Sequence, residues 1–371
     1  MAARLALVYH DEMLAHRPPG LEPEIRDYHA RKLRALLGPL VAESPWKHPE
    51  RPERLSALVE YLRGVTDERI AWIEPERADA ETILRAHTPV HLRRLEALRG
   101  RSRMLSIDTT AVSPGSVDAA TRAAGAAVEA VNAVCDGRAE TAFALVRPPG
   151  HHAFAATYRG FCLVNNVAVA ARHARAVHGM DRVLIVDWDI HHGDGTESIF
   201  AADPSVLFFD VHRSAPFYPG SGPLEFIGRG RGKGTTLNVP LPAGAGDRAV
   251  LAAFDEILLP AAQTFRPELI LVSAGFDGTR EHLACRFSPA VYAHLTRRLQ
   301  DLAETHAQGR LAMVLEGGYH INPMRQALEQ CIHVLLDPDA DLPSIKPTRT
   351  GLPAVRRARD HFARTVPGLA R

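Results

Sequence analysis

A chain of 371 residues with 44 Lys and Arg against 43 Asp and Glu carries a formal charge of +1. That balance excludes a global field aimed at nucleic acid or an anionic membrane, and an apolar content of 46% is ordinary for a globular protein. Cys135, Cys162, Cys285 and Cys331 form no CxxC pair and no disulfide framework, so a reducing compartment is expected. The N-terminus turns polar too soon for a signal peptide, and no apolar run is long enough to span a bilayer. A cytoplasmic protein is expected, and its compact length suggests a bacterial one.

The chain opens with a short apolar strand at 5–9. Residues 17–47 follow, starting at Arg17-Pro18-Pro19-Gly20 and ending at Ser44-Pro45-Trp46-Lys47, with charges at helical spacing over 24–37. This segment is read as a surface insertion, a lid or a homo-oligomer contact, because long insertions in compact domains tend to carry function. A helix is predicted over 116–134, a strand over 142–146, a helix over 164–177 and strands over 183–187, 206–210 and 236–239. A helix over 248–264, a strand over 269–273, a helix over 289–302 and a strand over 312–316 complete the pattern. From Lys346 onward the tail is basic (Arg349, Arg356, Arg357, Arg359, Arg364) and reads as a solvated helix face or tether. This alternation predicts an α/β fold with a central, mostly parallel sheet flanked by helices on both faces. No repeat or linker divides it, so 1–371 is read as one domain.

Polar clusters follow four of these strands. His151-His152 come after Arg147-Pro148-Pro149-Gly150, and Asp187-Trp188-Asp189-Ile190-His191-His192-Gly193-Asp194-Gly195 ends the apolar run Val183-Leu184-Ile185-Val186. Asp277 follows Ala274-Gly275-Phe276, and Glu316-Gly317-Gly318-Tyr319 ends the last strand. Active sites of open α/β sheets lie at the carboxyl ends of their strands. Carboxylates there are costly to bury unless something binds them, and a divalent metal suits Asp oxygen and His nitrogen. Asp189 and His191, two apart on an extended segment, face one side. Asp277 is the best third ligand, and two Asp with one His leave an open, catalytic position. Zn²⁺ fits, and Fe²⁺ or Co²⁺ is compatible with the same donors. His151 and His152 supply a general base and a general acid, with Asp187 and Asp194 free to orient them. Asp194 is also read, without excluding that role, as an N-cap before a helix at 196–200. Tyr319 can donate to a developing oxyanion. Together these groups point to metal-assisted hydrolysis of a carbonyl compound, most naturally an amide.

The sequence resembles the arginase/deacetylase superfamily, and specifically the zinc-dependent histone deacetylase family. The matching stretches are Arg147-Pro-Pro-Gly-His-His-Ala153, Gly160-Phe-Cys-Leu-Val-Asn-Asn166, Val186-Asp-Trp-Asp-Ile-His-His-Gly-Asp-Gly195, Phe217-Tyr-Pro-Gly220, Val272-Ser-Ala-Gly-Phe-Asp277 and Leu315-Glu-Gly-Gly-Tyr319. His48-Pro-Glu-Arg-Pro-Glu-Arg-Leu55 is similar to an early family signature. The wording is closest to class II deacetylases and their bacterial relatives, which include acetylpolyamine amidohydrolases.

The resemblance implies zinc on Asp189, His191 and Asp277, a catalytic pair His151 and His152 backed by Asp187 and Asp194 respectively, and Tyr319 polarising the acyl carbonyl. It implies an acyl-lysine channel lined by Phe161 and Tyr218. Gly160, Gly317, Thr109 (beside the substrate amide) and Arg54 (at the foot of the cavity) complete the substrate-binding set. Two departures stand out. The stretch Gly278-Thr-Arg-Glu-His-Leu-Ala-Cys285 is shorter than the usual rim loop. Asp210 replaces a small hydroxyl residue where relatives line a structural monovalent cation site, for which K⁺ is the natural occupant. Asp210 either strengthens that site, changes its occupant or pairs with a base such as Arg213. The expected activity is removal of acetyl or related acyl groups from lysine side chains of proteins or peptides. The alternative is acetylpolyamine hydrolysis, with Glu281 or an acid of the insertion meeting the cationic substrate. A silent acyl-lysine binder is disfavoured because every catalytic residue is present. An arginase-type ureohydrolase is disfavoured because the tandem histidines replace the ligands of a second metal.

Overall fold

The computed structural model describes residues 2–19, 48–106, 108–279 and 284–366. Among the described residues ten strands appear in chain order: β1 (Ala3–Val8), β2 (Ile70–Ile73), β3 (Arg103–Met104), β4 (Ala111–Val112), β5 (Ala139–Ala144), β6 (Val183–Asp187), β7 (Val206–Arg213), β8 (Thr236–Leu241), β9 (Leu269–Ala274) and β10 (Leu311–Leu315). Eight form one sheet in the order β2-β1-β5-β10-β9-β6-β7-β8, and every pairing is parallel. β3 and β4 make a separate antiparallel pair.

The central strands are apolar on both faces because both faces are covered. Val183, Leu184, Ile185 and Val186 of β6 are fully buried, as are Ile270, Leu271 and Val272 of β9. Helices Ser116–Cys135 and Asn166–His178 pack together against one face. Helices Pro289–His306, Ile321–Leu336 and Pro52–Arg63 form the other layer. Register aligns the ends of neighbouring strands: Asp187 lies beside both Ser273 of β9 and Asp210 of β7, and Leu315 lies beside Ala274. The loops after β5, β6, β9 and β10 therefore open on the same end of the sheet.

The predicted helix over 248–264 is interrupted. It runs as Asp247–Ala253, a π turn at Phe254–Leu258 and Leu259–Phe265. Pro260 has no N–H to offer the preceding turn, and the Leu259 N–H reaches back to the Phe254 carbonyl instead. The basic tail forms helix Leu352–Thr365, which buries Val355, Ala358 and Phe362 while Arg356 and Arg357 face solvent. It is docked on one face and solvated on the other. Most of the 17–47 insertion and Glu281 lie outside the described residues. Among the described residues, no helix is long and apolar enough to cross a membrane.

Candidate active site

β6 delivers its acids at the end of a fully buried strand. Asp187 and Asp189 have no exposure, and the intervening Trp188 is buried on the opposite side against Tyr292. Each carboxylate of the metal-ligand set is tied to backbone, and Asp189 through both oxygens, with Oδ1 accepting from His191 N at 2.9 Å. Asp189 Oδ2 accepts from Gly317 N at 2.8 Å, and Asp277 Oδ1 accepts from Ile190 N at 2.9 Å. One oxygen of each acid turns toward a single imidazole nitrogen: His191 Nδ1 lies 3.1 Å from Asp189 Oδ1 and 2.9 Å from Asp277 Oδ2.

These residues fit a divalent cation. A neutral imidazole with its one proton on Nδ1 can satisfy one of the two facing oxygens, and two buried carboxylates leave an uncompensated charge. Burial lowers the affinity of His191 for a proton, yet Asp277 and Asp189 outweigh it and push its pKa up to about 9. The cluster thus attracts positive charge at Nδ1. The separations resemble the roughly 3.3 Å ligand–ligand edge of a tetrahedral ion with bonds near 2.0 Å. Two glycines leave room for this convergence. A Cβ on Gly275 would stand 2.0 Å from Asp189 Oδ2, and one on Gly317 would stand 2.5 Å from oxygens of both Asp189 and Asp277.

Beside the triad, His151 and His152 follow β5. Gly150 N and His151 N both donate to Glu316 Oε2, at 2.7 and 3.1 Å, which fastens this turn to the end of β10. Burial pushes the Glu316 carboxyl up to about 7. The two imidazole rings sit 4.1 Å apart, each on its own acid. His151 Nδ1 is 3.1 Å from Asp187 Oδ2, and His152 Nδ1 is 2.7 Å from Asp194 Oδ1.

Their environments differ. Burial opposes charge on His151, but Asp187 and Asp189 overcome it and raise its pKa well above the usual imidazole value. His152 is pushed down to about 4, by burial first and then by its charged neighbour His151, with Asp194 opposing. The two imidazoles are thus biased in opposite directions, toward and away from the protonated form, the division that acid–base chemistry uses. Asp194 is the first residue of helix Asp194–Phe200, whose N-cap is Gly193 with no side-chain cap. The N-cap reading is therefore corrected, because Asp194 already lies inside the helix; its carboxylate is engaged by His152 and by Arg159 Nη1, at 2.6 Å.

Aromatic groups wall the approach. His152 meets the Tyr218 ring edge-on at 5.2 Å, Phe161 meets Tyr319 at 5.8 Å, and Phe217 stacks on His191 at 4.9 Å. Gly160 packs on the His152 ring, 2.4 Å from a hypothetical Cβ. Burial keeps the Tyr319 phenol protonated by raising its pKa well above the ordinary value. Arg54 lies beneath it, with its guanidinium 4.7 Å from the Tyr319 ring centroid. That guanidinium donates to the Glu316 carbonyl at 2.7 Å and to the Gly318 carbonyl. Thr109 is buried with a positive φ of 65°, its carbonyl 2.9 Å from His48 Nε2 and its hydroxyl without a hydrogen-bond partner.

Sequence reasoning missed three neighbours. Asp108 accepts from Tyr218 Oη at 2.9 Å and from Gly160 N at 3.0 Å, so it ties both channel walls together. Arg159, between Asp194 and the Tyr218 ring, precedes Gly160 with no spacing signal of its own. Phe217 was read only as part of a motif, although it covers His191. Asp210 contacts His212, not Arg213: Asp210 Oδ1 is 2.7 Å from His212 Nδ1. The Arg213 guanidinium turns instead to the Ser214 carbonyl.

Comparison with known proteins matches residues 48–335 to the histone deacetylase domain. A probable deacetylase of Archaeoglobus fulgidus is 42% identical over 279 residues, 74% of this chain and 77% of that protein. A histone deacetylase-like amidohydrolase of Pseudomonas aeruginosa is 39% identical over 283 residues, 76% of this chain and 74% of its own. Human polyamine deacetylase HDAC10 is 38% identical over 372 residues, 95% of this chain but 51% of the human protein, so the chain spans about half the length of that relative. The crystal structure of the HDA15 HD domain aligns with a TM-score of 0.85 at 33% identity, covering 100% of this chain and 97% of that one. The chain belongs to the histone deacetylase family.

Proposed function

We propose that this chain is a metal-dependent amidohydrolase that removes acetyl or related acyl groups from lysine side chains of proteins or peptides. The observation that carries the reading is the meeting of one donor triad, Asp189, His191 and Asp277, with two imidazole–carboxylate pairs and a protonated phenol. A divalent cation on the triad, with zinc preferred, would polarise an acyl carbonyl and acidify a water. His152, neutral and oriented by Asp194, accepts the proton of the attacking water. His151, held protonated by Asp187, provides the proton that the departing amine needs. Tyr319 donates its phenolic proton in a hydrogen bond to the carbonyl oxygen as negative charge develops there. Phe161 and Tyr218 flank the apolar stem of the substrate and exclude water from it. Gly160 and Gly317 leave space for that stem and for the reacting centre. Thr109 and Arg54 act at the rim and the foot of the same cavity. The whole chain is read as one catalytic domain that works in the cytoplasm.

A second reading, acetylpolyamine hydrolysis, is favoured by the similarity to human polyamine deacetylase across 95% of this chain. The chemistry is identical and only the rim differs. Turnover of an acetyl-lysine peptide, acetylputrescine and acetylspermidine, measured side by side with a chelator control, separates the two. Chelator-sensitive preference for the peptide is the expected result. Preference for the polyamines would move the assignment to the second reading, and no turnover of any of them by metal-loaded protein would contradict both.

A further inference from the structure

Next to the donor triad lies a second buried group of acid and imidazole: Asp210, His212 and His192. Asp210 and His212 are two apart on β7, so they share a face of the sheet, and both are fully buried. Register sets Asp210 directly beside Asp187 of β6. Two carboxylates at adjacent positions in a dry interior repel, and each needs a compensating charge. Asp187 has the His151 imidazole. The question is what compensates Asp210.

The hydrogen bonds answer it. His212 Nε2 lies 3.1 Å from the Gly222 carbonyl, which can only accept, so Nε2 carries a proton. His212 Nδ1 lies 2.7 Å from Asp210 Oδ1, and a second proton occupies that contact. The pair therefore holds one proton more than a carboxylate and a neutral imidazole, and is neutral as a unit. Asp210 Oδ2 is also engaged, accepting from Gly193 N at 2.8 Å. Both oxygens of the carboxylate thus meet N–H donors.

The partners of this pair belong to two functional loops. Gly193 is two residues past His191, on the loop that carries Asp189 and His191 of the triad. Gly222 closes the turn that begins at Phe217 and Tyr218. It has φ of 81° at neighbouring Gly220 and 75° at its own position, and a Cβ there would stand 2.6 Å from the His212 ring. His192 adds a second tie to the same turn, with Nδ1 2.8 Å from Ser221 Oγ and Nε2 3.1 Å from Glu197 Oε2.

We infer that Asp210 and His212 form a built-in positioning pair that fixes the metal-binding loop to the channel-wall turn and replaces a monovalent cation beneath the centre. The residues do not fit the K⁺ site that the family resemblance implies. Where a hydroxyl would leave the charge to a mobile ion, this chain supplies a carboxylate together with its own imidazole counter-charge. Neither residue touches substrate; both act through the positions of His191 and Tyr218. The inference rests on the proposed metal role of Asp189, His191 and Asp277.

The test reads zinc affinity of the full chain, by competition with a fluorescent chelator, in KCl and in tetramethylammonium chloride at equal ionic strength. Wild type is expected to differ by less than about twofold between the two salts. His212→Gln keeps a donor toward Gly222 but removes the counter-charge from Asp210. It is expected to bind zinc about tenfold more weakly in tetramethylammonium, with most of the loss restored by K⁺, in line with the effect of outer partners on metal affinity. Wild-type affinity that collapses without K⁺, or a His212→Gln protein with unchanged affinity in both salts, would overturn the inference. Should His212→Gln fail to fold, Asp210→Asn gives the answer: weaker zinc binding that K⁺ does not restore is expected, and K⁺-dependent restoration or no effect overturns it. Zinc binding rather than turnover is read, so an error in the substrate assignment leaves this test intact. Zinc binding that survives Asp277→Ala would instead expose an error in the triad itself.

Discussion

Two acid–imidazole clusters stand side by side at the end of the sheet, built from the same residue types and equally buried, and they are poised oppositely. In the first, His191 Nδ1 faces two carboxylate oxygens at once, so its hydrogen-bonding capacity falls short of the negative charge around it. In the second, His212 faces one carboxylate and one carbonyl, so each nitrogen has one acceptor and the account closes. The difference teaches that residue composition does not make a metal site. What matters is whether the local donors already satisfy the acceptors that converge there. The first cluster lacks a cation's worth of charge, whereas the second is complete.

Removing an acid from the first cluster should have the largest effect. Asp277→Ala is expected to weaken zinc binding by at least about 100-fold, exceeding the effect typical of outer partners, as measured by chelator competition. Unchanged zinc content would remove Asp277 from the ligand set. Next come the groups that handle protons but hold no metal. His152→Ala should lower turnover of the zinc-loaded enzyme by about 10² to 10⁴, and Tyr319→Phe by about 10² to 10³, each with full zinc content. Loss of zinc from either variant would mean that the residue supports the metal instead. A subtler perturbation is Gly317→Ala, whose new Cβ would crowd oxygens of both Asp189 and Asp277. A drop of about tenfold in zinc affinity with little change in far-UV dichroism is expected, and normal affinity would show that the acids can shift freely.

The smallest expected effect is on stability in acid, and it comes from the scaffold around the clusters. His87 is buried and its Nε2 accepts from Asn165 N at 2.9 Å. Burial, with a contribution from His91, lowers its pKa to about 3. Its unfolded value is near 6.5, so between these limits the unfolded chain binds more protons. The contribution is fully present above pH 6.5 and is lost as pH falls toward 3, by up to about 1.4 kcal/mol per pH unit. Urea unfolding at pH 6.5 and pH 5 should show this loss, and His87→Gln should flatten the slope. An identical slope in the variant would assign the acid sensitivity elsewhere.

Much of the catalytic end was legible before any coordinates. The run Val183–Asp187 was readable as a buried strand to the residue because three of its four apolar residues are β-branched and it ends in acid. The sheet ladder extends β7 and β8 beyond the predicted ends, since pairing, which the sequence does not display, continues through polar residues such as His212 and Arg213. The edge strand β2 escaped notice: Ile-Ala-Trp-Ile lacks alternation, and Trp72 is 39% exposed. The π turn is a local accommodation of Pro260 within a pattern that reads as continuous helix. Long-range partners were the least legible. Asp108 and Tyr218 are far apart in sequence, and the choice of His212 over Arg213 for Asp210 depends on which side of β7 each residue faces.

The measurement that tests the account most directly is zinc stoichiometry of the purified full-length chain, by mass spectrometry under native conditions, for wild type, Asp277→Ala and His212→Gln. One zinc per wild-type chain, none in Asp277→Ala at the same zinc concentration and one in His212→Gln at saturating zinc is the predicted pattern. Two zinc ions per wild-type chain, or loss of zinc from His212→Gln even at saturation while Asp277→Ala keeps it, would contradict the assignment of the two clusters.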